Sequence, residues 1–266
     1  MVESAKNRRE RAAQARAAAE SSEKRRERLV RIIGGATVGV LVIGIIGGAW
    51  WVSQQEGSGT EFVLAEPDPD APRPAGVPDA DAEHAYAVVF NPDAPADTPV
   101  LEVWEDFQCP ACGAFEEAAG ANLVSLANAN QIQLIWRPTT FLDRNVGNDA
   151  STRAVAAWGC AIDAGKPLEF HDLVYANQPT EGQGWTDEQL KQFGVDAGIE
   201  GEALTTFEQC ITDRTYAPWA ANSTAIFYEQ GIQGTPFVRL QGNEVPAELV
   251  ADAEAFAETL QNLTTQ

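Results

Sequence analysis

Residues 100–112 read VLEVWEDFQCPAC, and this stretch decides the fold. Its first part, Val100 to Trp104, predicts a β-strand because it is rich in apolar and β-branched side chains. Beyond the two cysteines, apolar residues recur with Cys112 at helical spacing, at Phe115, Ala119, Leu123 and Leu126. The cysteine pair therefore lies where a strand ends and a helix begins. Backbone N–H groups and the positive helix end converge there and favour a thiolate on Cys109.

The charge of the chain is unevenly distributed. Residues 1–31 hold ten Lys/Arg and five Glu, for a net charge of +5, and residues 32–52 hold no charged side chain. Residues 53–266 hold eight Lys/Arg and 34 Asp/Glu, for a net charge of −26 within a total of −21. A segment this acidic repels nucleic acid, so we exclude nucleic-acid binding by residues 53–266. We interpret the acidic surface as one that maintains solubility.

Residues 32–52 form an uninterrupted stretch of 21 uncharged, mostly apolar residues. A helix of this length, rising about 1.5 Å per residue, spans roughly 31 Å, against about 30 Å for a bilayer core. Trp50 and Trp51 lie at its far end, and a basic cluster between Lys24 and Arg31 precedes it. The positive-inside rule then predicts a cytoplasmic N-terminus and an extracytoplasmic remainder. A cleaved signal peptide is disfavoured because the basic arm and the apolar stretch are too long, and no A-x-A-like site follows.

The composition divides the chain into four segments. We predict a basic cytoplasmic arm over residues 1–31, a single transmembrane helix over 32–52 that acts as an uncleaved signal-anchor, and a linker over 53–82. The linker contains five prolines with Gly, Ser and Asp and little apolar content, a composition typical of an extended spacer. A globular domain over residues 83–263 follows.

The hydrophobic periodicity of the globular part predicts a mixed α/β domain. Strands are predicted at 86–90, 99–107, 132–136 and 237–240, and a tight turn at Gly242-Asn243 leads into one more strand. Helices are predicted from the cysteine pair to about residue 129, and at 150–164, 167–177, 187–198, 201–213, 216–230 and 248–262. Strands on either side of a block of helices predict a sheet domain with an all-helical insertion at about 139–233.

The pair Cys109 and Cys112 could be a redox centre or half of a metal site, and its position at the start of a helix favours redox chemistry. A disulfide-exchanging dithiol needs an attacking thiolate and a resolving thiol within reach. Cys109 at the helix N-terminus meets the first need, and Cys112, one turn further on the buried face, meets the second. Pro110 suits the first helical turn because it has no N–H to lose.

Gly234-Thr235-Pro236 precedes the late strand. A Thr-Pro bond that opens a strand can be cis, and a cis proline is usually a specific device. Considered alone, the dipeptide favours an ordinary strand-entry proline, because only about 5–6% of X–Pro bonds are cis.

Considered together, three features of the chain resemble those of the thioredoxin superfamily, and specifically of its DsbA-like extracytoplasmic branch. They are the run Asp106-Phe107-Gln108-Cys109-Pro110-Ala111-Cys112, the helical block between strands, and Gly234-Thr235-Pro236. The resemblance covers about residues 84–263 and is closest to membrane-anchored actinobacterial members. It implies a thioredoxin fold with a helical insertion.

The resemblance also implies roles for individual residues. Cys109 would be the nucleophile, Cys112 the resolving cysteine, and Pro236 a cis proline lying against the pair. We expect four residues to contact substrate: Thr235 through its backbone, together with Phe107, Pro110 and Ala111. The sequence departs from relatives at Ala111, where a His is common, and at Val103, where thioredoxins proper carry a buried Asp. Both departures leave the redox potential open.

The remaining cysteines, Cys160 and Cys210, lie in two predicted helices of the insertion. We expect them to form a structural disulfide, which an even cysteine count outside the cytoplasm suggests and the resemblance supports. Ligation of zinc by all four cysteines is the weaker alternative, since these two are 50 residues apart and zinc ligands usually come in close pairs. His84 and His171 lie in no metal-binding motif, so we predict no metal site and no small cofactor.

The sequence thus predicts a single-pass, membrane-anchored thiol–disulfide oxidoreductase with its catalytic domain outside the cytoplasm. Its substrates would be reduced exported polypeptides, oxidised through a Cys109–Cys112 disulfide. By resemblance, a membrane reoxidase homologous to DsbB or to vitamin-K-epoxide reductase would restore that disulfide. Two alternatives remain at this point. One is a reductase or isomerase of the same fold, for example in cytochrome c maturation, and the other is a non-catalytic anchored domain with only structural disulfides.

Overall fold

The computed structural model of the protein describes residues 64–264. The strands are β1 (Val88–Val89), β2 (Val100–Glu105), β3 (Gln133–Pro138), β4 (Phe237–Leu240) and β5 (Asn243–Glu244). The helices are α1 (Pro110–Phe115), a π-helical turn (Glu116–Gly120), α2 (Ala121–Asn128), α3 (Phe141–Val146), α4 (Ala150–Asp163), α5 (Pro167–Ala176), α6 (Asp187–Asp196), α7 (Gly201–Thr212), α8 (Ala217–Glu229), α9 (Ala247–Val250) and α10 (Ala253–Thr264).

Strand β2 lies at the centre of a five-stranded sheet of order β1-β3-β2-β4-β5. It pairs in parallel with β3 and antiparallel with β4. Its side chains are buried on both faces, since Leu101 and Val103 are fully inaccessible and Trp104 packs against Phe227 of α8. Burial of both faces explains why the sequence of β2 is a nearly continuous run of apolar residues.

Helices α3 to α8 are inserted between β3 and β4, so the predicted α/β domain with a helical insertion is confirmed. Aromatic side chains fill the interior of the insertion, where Phe170 packs edge-on against Phe207. A disulfide joins Cys160 of α4 to Cys210 of α7, with a Cα–Cα separation of 5.9 Å. It closes a loop of 50 residues.

Three details differ from the elements predicted by periodicity. The helix after the cysteine pair is interrupted by the π-helical turn, in which the carboxylate of Glu116 folds back over Gly120. The predicted helix 248–262 is two helices, because the Asp252 carboxylate caps α10 by accepting from the Ala255 N–H at 3.1 Å. Helix α3 was not predicted, because six residues are too few for a periodic pattern.

The chain that precedes β1 runs along the insertion. Asn222 of α8 makes two hydrogen bonds to the backbone of Asp68, both at 2.7 Å. Further along, the Ala75 N–H donates to the Asp163 carboxylate at 2.7 Å. These contacts hold the described end of the Pro-rich segment against the domain.

Within residues 64–264, every helix is too short or too polar to cross a bilayer. The predicted transmembrane helix over residues 32–52 lies outside the described residues, as does the basic arm. Both stay predictions.

Candidate redox site

Cys109 occupies the N-cap position of α1, where the backbone is extended (φ −74°, ψ 116°). Pro110 follows at the first helical position. The Cys109 carbonyl accepts from the N–H groups of Cys112 and Gly113, at 3.0 and 3.1 Å, so the turn closes directly on the pair. Cys109 is 7% exposed and Cys112 is fully buried, and neither is disulfide-bonded in this structure.

The two thiols have opposite electrostatic environments. A hydrogen bond from the Cys112 thiol, followed by contributions that include the backbone amides of the helix start, lowers the pKa of Cys109 to about 6. Burial raises the pKa of Cys112 well above its ordinary value, and the hydrogen bond to Cys109 and the negative charge of the Cys109 thiolate add to this. Cys109 is therefore the thiolate near neutral pH, and Cys112 is the protonated partner.

The peptide bond between Thr235 and Pro236 is cis and lies against the pair. The Thr235 carbonyl oxygen is 3.3 Å from Cys109 Sγ. This proximity follows from the sheet, because β4 begins at Phe237, whose register partner in β2 is Trp104. The structure thus brings together the three residues for which we predicted catalytic roles: Cys109, Cys112 and Pro236.

An apolar depression of about 330 Å³ lies beside the pair. We call it the CxxC groove. Its lining includes Ala111, Phe115, Thr235, Pro236, Val250 and Ala253. It has the size and apolar character suited to a side chain of an unfolded polypeptide, next to the one thiolate of the site.

The four residues expected to contact substrate are placed differently. Ala111 and Thr235 line the CxxC groove, while Pro110 is exposed and lines a separate depression. The expectation for Phe107 is corrected, because its side chain is only 3% exposed. Its ring packs against Trp158 and Tyr175 of the insertion. An aromatic residue beside a cysteine pair suggested a substrate contact, but the insertion covers it.

A buried polar network that sequence reasoning missed ties the turn before Cys109 to the insertion. Gln108 Nε2 donates to Asp143 Oδ1 at 2.9 Å and to Ser151 Oγ at 2.8 Å. The Asp106 carboxylate accepts from the Gln108 N–H at 2.9 Å and from the Ser151 hydroxyl at 2.5 Å. Burial raises the pKa of Asp106 to about 7. The polar pair Asp106 and Gln108, adjoining a buried strand, was the available signal.

Gln178, which follows α5, clamps the same turn from the other side. Its Nε2 donates to the carbonyl oxygens of Phe107 at 2.7 Å and Cys109 at 2.9 Å. A Cβ at Gly113 would lie 2.5 Å from Gln178 Oε1, so glycine leaves room for this clamp.

A second buried cluster lies behind Cys112 and consists of Glu105, Glu116 and His171, each of which offers one donor atom within 4.8 Å of the other two. His171 Nε2 is 3.2 Å from Glu105 Oε2. Burial raises the pKa of Glu105 to about 8 and that of Glu116 well above its usual range. An imidazole with two carboxylates is a donor set that could hold a divalent cation. No sequence motif marks this cluster, because the three residues come from β2, the π-helical turn and α5.

The comparisons with known proteins agree with this geometry. The profile of the family described as thioredoxin matches residues 89–262, so the chain belongs to that family. The MdbA protein of Actinomyces oris, a thiol-disulfide oxidoreductase, is 20% identical over 66% of this chain and 88% of its own, with a TM-score of 0.58. The MdbA protein of Corynebacterium diphtheriae is 23% identical over 66% and 89%, with a TM-score of 0.55.

Reduced DsbA of Mycobacterium tuberculosis is also similar, at 23% identity over 68% of this chain and 98% of its own, with a TM-score of 0.52. No curated protein matches the chain in sequence. The shared fold is the DsbA-like form of the thioredoxin fold, with helices inserted in the sheet domain. Fold and cysteine pair together define a protein disulfide oxidoreductase.

We predict that iodoacetamide alkylates Cys109 of the reduced protein with a midpoint near pH 6, the pKa of its thiol. The rate falls as the pH decreases through 6, because the thiol form is not a nucleophile. Mass spectrometry of peptides quenched between pH 4 and 9 measures the profile. Cys112 should stay unmodified in the folded protein, and a Cys109 midpoint near its ordinary value of 9 would contradict the assignment.

We also predict that Gln108→Leu destabilises the oxidised protein, by roughly 1–3 kcal/mol, because buried partners at Asp143 and Ser151 lose a donor. Urea denaturation measures the free energy of unfolding. Gln131→Leu is the matched control, since Gln131 is exposed and precedes β3, and it should change that free energy by under about 0.5 kcal/mol. Equal effects of the two substitutions would show that the network adds no stability.

Proposed function

We propose that this protein is a membrane-anchored, outward-facing oxidant that introduces disulfides into exported polypeptides. The observation that carries the proposal is the asymmetry of the pair: the less buried of the two sulfurs is the stabilised thiolate, and its neighbours Ala111 and Thr235 line the CxxC groove. Such a sulfur is both the point of attack in the disulfide form and a good leaving group in the mixed disulfide.

The oxidation then runs in two exchange steps. A substrate thiolate attacks Cys109 Sγ of the Cys109–Cys112 disulfide, that bond breaks, and Cys112 leaves as a thiolate that takes up a proton. The second substrate thiolate attacks the substrate sulfur of the mixed disulfide, and Cys109 leaves as a thiolate. The substrate loses two electrons as its disulfide forms, and the protein pair gains them.

The form of the pair that the site stabilises is one contribution to the direction of transfer. At pH 7 a thiol whose pKa is about 6 is mostly ionised, whereas one with a pKa near 9 is about 1% ionised. Ionisation therefore favours the reduced form by about elevenfold, which corresponds to about 30 mV in a two-electron couple. A stabilised reduced form makes the disulfide form a stronger oxidant.

The location rests on the sequence and on one structural feature. The uncharged residues 32–52, preceded by a basic arm, support an anchor with residues beyond 52 outside the cytoplasm. The disulfide between Cys160 and Cys210 fits an oxidising compartment. A membrane oxidase of the DsbB or vitamin-K-epoxide-reductase type would then accept the electrons from the reduced pair. No small cofactor enters this scheme.

The reduction potential of the pair tests the proposed direction. The full chain is equilibrated with glutathione buffers and trapped by alkylation, and its reduced fraction is measured by mass. We expect a value near about −120 mV, as for the strongest oxidase of this type, and a value near about −270 mV would define a reductase. The Cys160→Ala/Cys210→Ala variant should keep the same potential.

Oxidation of a reduced, unfolded secreted ribonuclease tests catalysis in the same preparation. The oxidised protein should restore ribonuclease activity, and Cys109→Ser should not. Equal recovery with Cys109→Ser would leave a non-catalytic domain as the explanation.

A labelling experiment tests the location. In intact cells treated briefly with a mild reductant, a membrane-impermeant maleimide should label Cys109, because the domain faces outward. The Cys109→Ser/Cys112→Ser variant is the matched control and should remain unlabelled. Labelling that requires cell lysis would place the domain in the cytoplasm.

A further inference from the structure

Glu105, Glu116 and His171 converge from three separate elements at a point behind the redox pair. Glu105 ends β2, Glu116 begins the π-helical turn, and His171 lies in α5 of the insertion. All three of their donor atoms lie within 4.8 Å of one another. We propose that these side chains form a binding site for a divalent transition-metal ion, and that Zn²⁺ matches it best.

The spacing of the donors suits one small ion. His171 Nε2 and Glu105 Oε2 are 3.2 Å apart. Two ligands on a tetrahedral Zn²⁺, each about 2.0–2.1 Å from the ion, lie roughly 3.3 Å apart. The third donor, from Glu116, lies within 4.8 Å of both. A fourth position is left for water.

The cluster lacks positive charge. Two buried carboxylates face one imidazole, which supplies at most a single positive charge. In the described part of the chain, no Lys or Arg is paired with any of the three, and Asp172, Tyr175, Cys109 and Cys112 surround them. A buried carboxylate is stable only when it is protonated, paired or bound to a metal.

Two carboxylate oxygens point to a missing partner. Oε1 of Glu105 and Oε1 of Glu116 are buried and receive no hydrogen bond from any other side chain or backbone group within residues 64–264. When one of the two carboxyl groups is protonated, they hydrogen-bond to each other. Glu105 is 5% exposed as a whole residue. Buried oxygens without a donor are uncommon in folded proteins, and a bound ion or a proton would serve as their partner. The absence of a side chain at Gly120 leaves room for the Glu116 carboxylate, because a Cβ there would collide with it.

The imidazole is fixed in an orientation suited to ligation. Rings of four residues lie with centroids 4.7–5.6 Å from that of His171: Phe107, Trp136, Trp158 and Tyr175. While Nε2 faces Glu105, Nδ1 lies 3.5 Å from Asp172 Oδ1. Metal-ligating histidines usually place the second ring nitrogen next to a carboxylate or carbonyl in this way.

A route from solvent reaches the cluster. Glu116, Asp172 and Tyr175 line a depression of about 890 Å³ on the surface between α1 and α5. The acidic groups at its wall attract cations. The nitrogen donor favours transition metals over Mg²⁺ and Ca²⁺, which prefer all-oxygen sites. The expectation that His171 has no ligand role is therefore replaced by this proposal.

Titration of the oxidised full chain with Co²⁺, followed by competition with Zn²⁺, tests the site. The protein is purified without a polyhistidine tag and stripped with a chelator. Because the oxidised chain has no free thiol, bound Co²⁺ should show visible ligand-field bands without thiolate charge-transfer bands. We expect one equivalent of Co²⁺ to bind and be displaced by Zn²⁺, and Zn²⁺ to raise the melting temperature of the oxidised protein.

Substitutions then locate the ion. His171→Gln and Glu116→Gln should each weaken binding more than about 100-fold, beyond the range for loss of an outer partner, whereas Asp172→Asn should weaken it by about tenfold. The matched controls are His84→Gln, at the other histidine of the chain, and Glu117→Gln, at the exposed neighbour of Glu116. Both should bind as the unchanged protein does.

Two results would overturn the proposal. One is the absence of saturable Co²⁺ and Zn²⁺ binding by the unchanged oxidised protein, which would mean that protons alone neutralise the cluster. The other is equal binding by His171→Gln and Glu116→Gln, which would place the ion elsewhere. Should those variants fail to fold, as judged by circular dichroism, the unchanged protein still decides through stoichiometry, spectrum and melting temperature. Neither result bears on the disulfide chemistry of Cys109, which is measured separately.

Discussion

The antiparallel pairing of β2 with β4 is the interaction on which the rest of the site depends. Trp104 lies opposite Phe237. The turn that follows β2 and leads to Cys109 therefore lies at the same end of the strands as the loop that ends at Pro236 and leads into β4. The Thr235 carbonyl consequently reaches Cys109 Sγ across 126 residues of sequence. A slip of one residue would turn Trp104 to the opposite face of the sheet. Burial of both faces of β2 excludes that slip, and core packing thereby fixes the geometry of the redox pair.

The same arrangement explains why two cysteines of one turn differ so much. Cys109 sits at the N-cap, where it meets backbone amides and the Cys112 thiol, whereas Cys112 points into the core towards Glu105. Hydrogen-bond donors near Cys109 lower the pKa of its thiol, whereas burial and the neighbouring thiolate raise the pKa of the Cys112 thiol. The residues between them, Pro110 and Ala111, carry no charge. The reactivity of the site is thus set by helix position and burial.

Local signals in the sequence were sufficient to predict much of the fold. Periodicity located α4 to α8 to within two residues, because each of these helices has an apolar face and clear ends, such as the capping box at Thr186. The cysteine pair and Thr235-Pro236 were identified because short motifs carry them. Phe107 was misassigned because its burial depends on Trp158 and Tyr175, which are distant in sequence.

Long-range polar contacts were beyond sequence reasoning for the same reason. Gln108 meets Asp143 and Ser151 only after α3 and α4 have folded against the turn. Glu105 and His171 are 66 residues apart, and neither has a neighbour that marks it as a partner. Helix α3 itself is shorter than two turns, so the spacing of its apolar residues could not identify it as a helix. What escaped prediction is therefore the set of contacts between the sheet domain and the insertion.

Those contacts make the insertion part of the redox centre. Gln178 holds the carbonyls of Phe107 and Cys109, Asp143 and Ser151 hold Gln108, and His171 holds Glu105. Removal of the helices would leave these buried groups without partners, at a cost of roughly 1–3 kcal/mol for each. It would also expose the apolar rings that now exclude water from behind Cys112. A sheet domain alone would lose the burial that keeps Cys112 protonated, so the difference between the two thiols requires the helices and the sheet to fold as one unit.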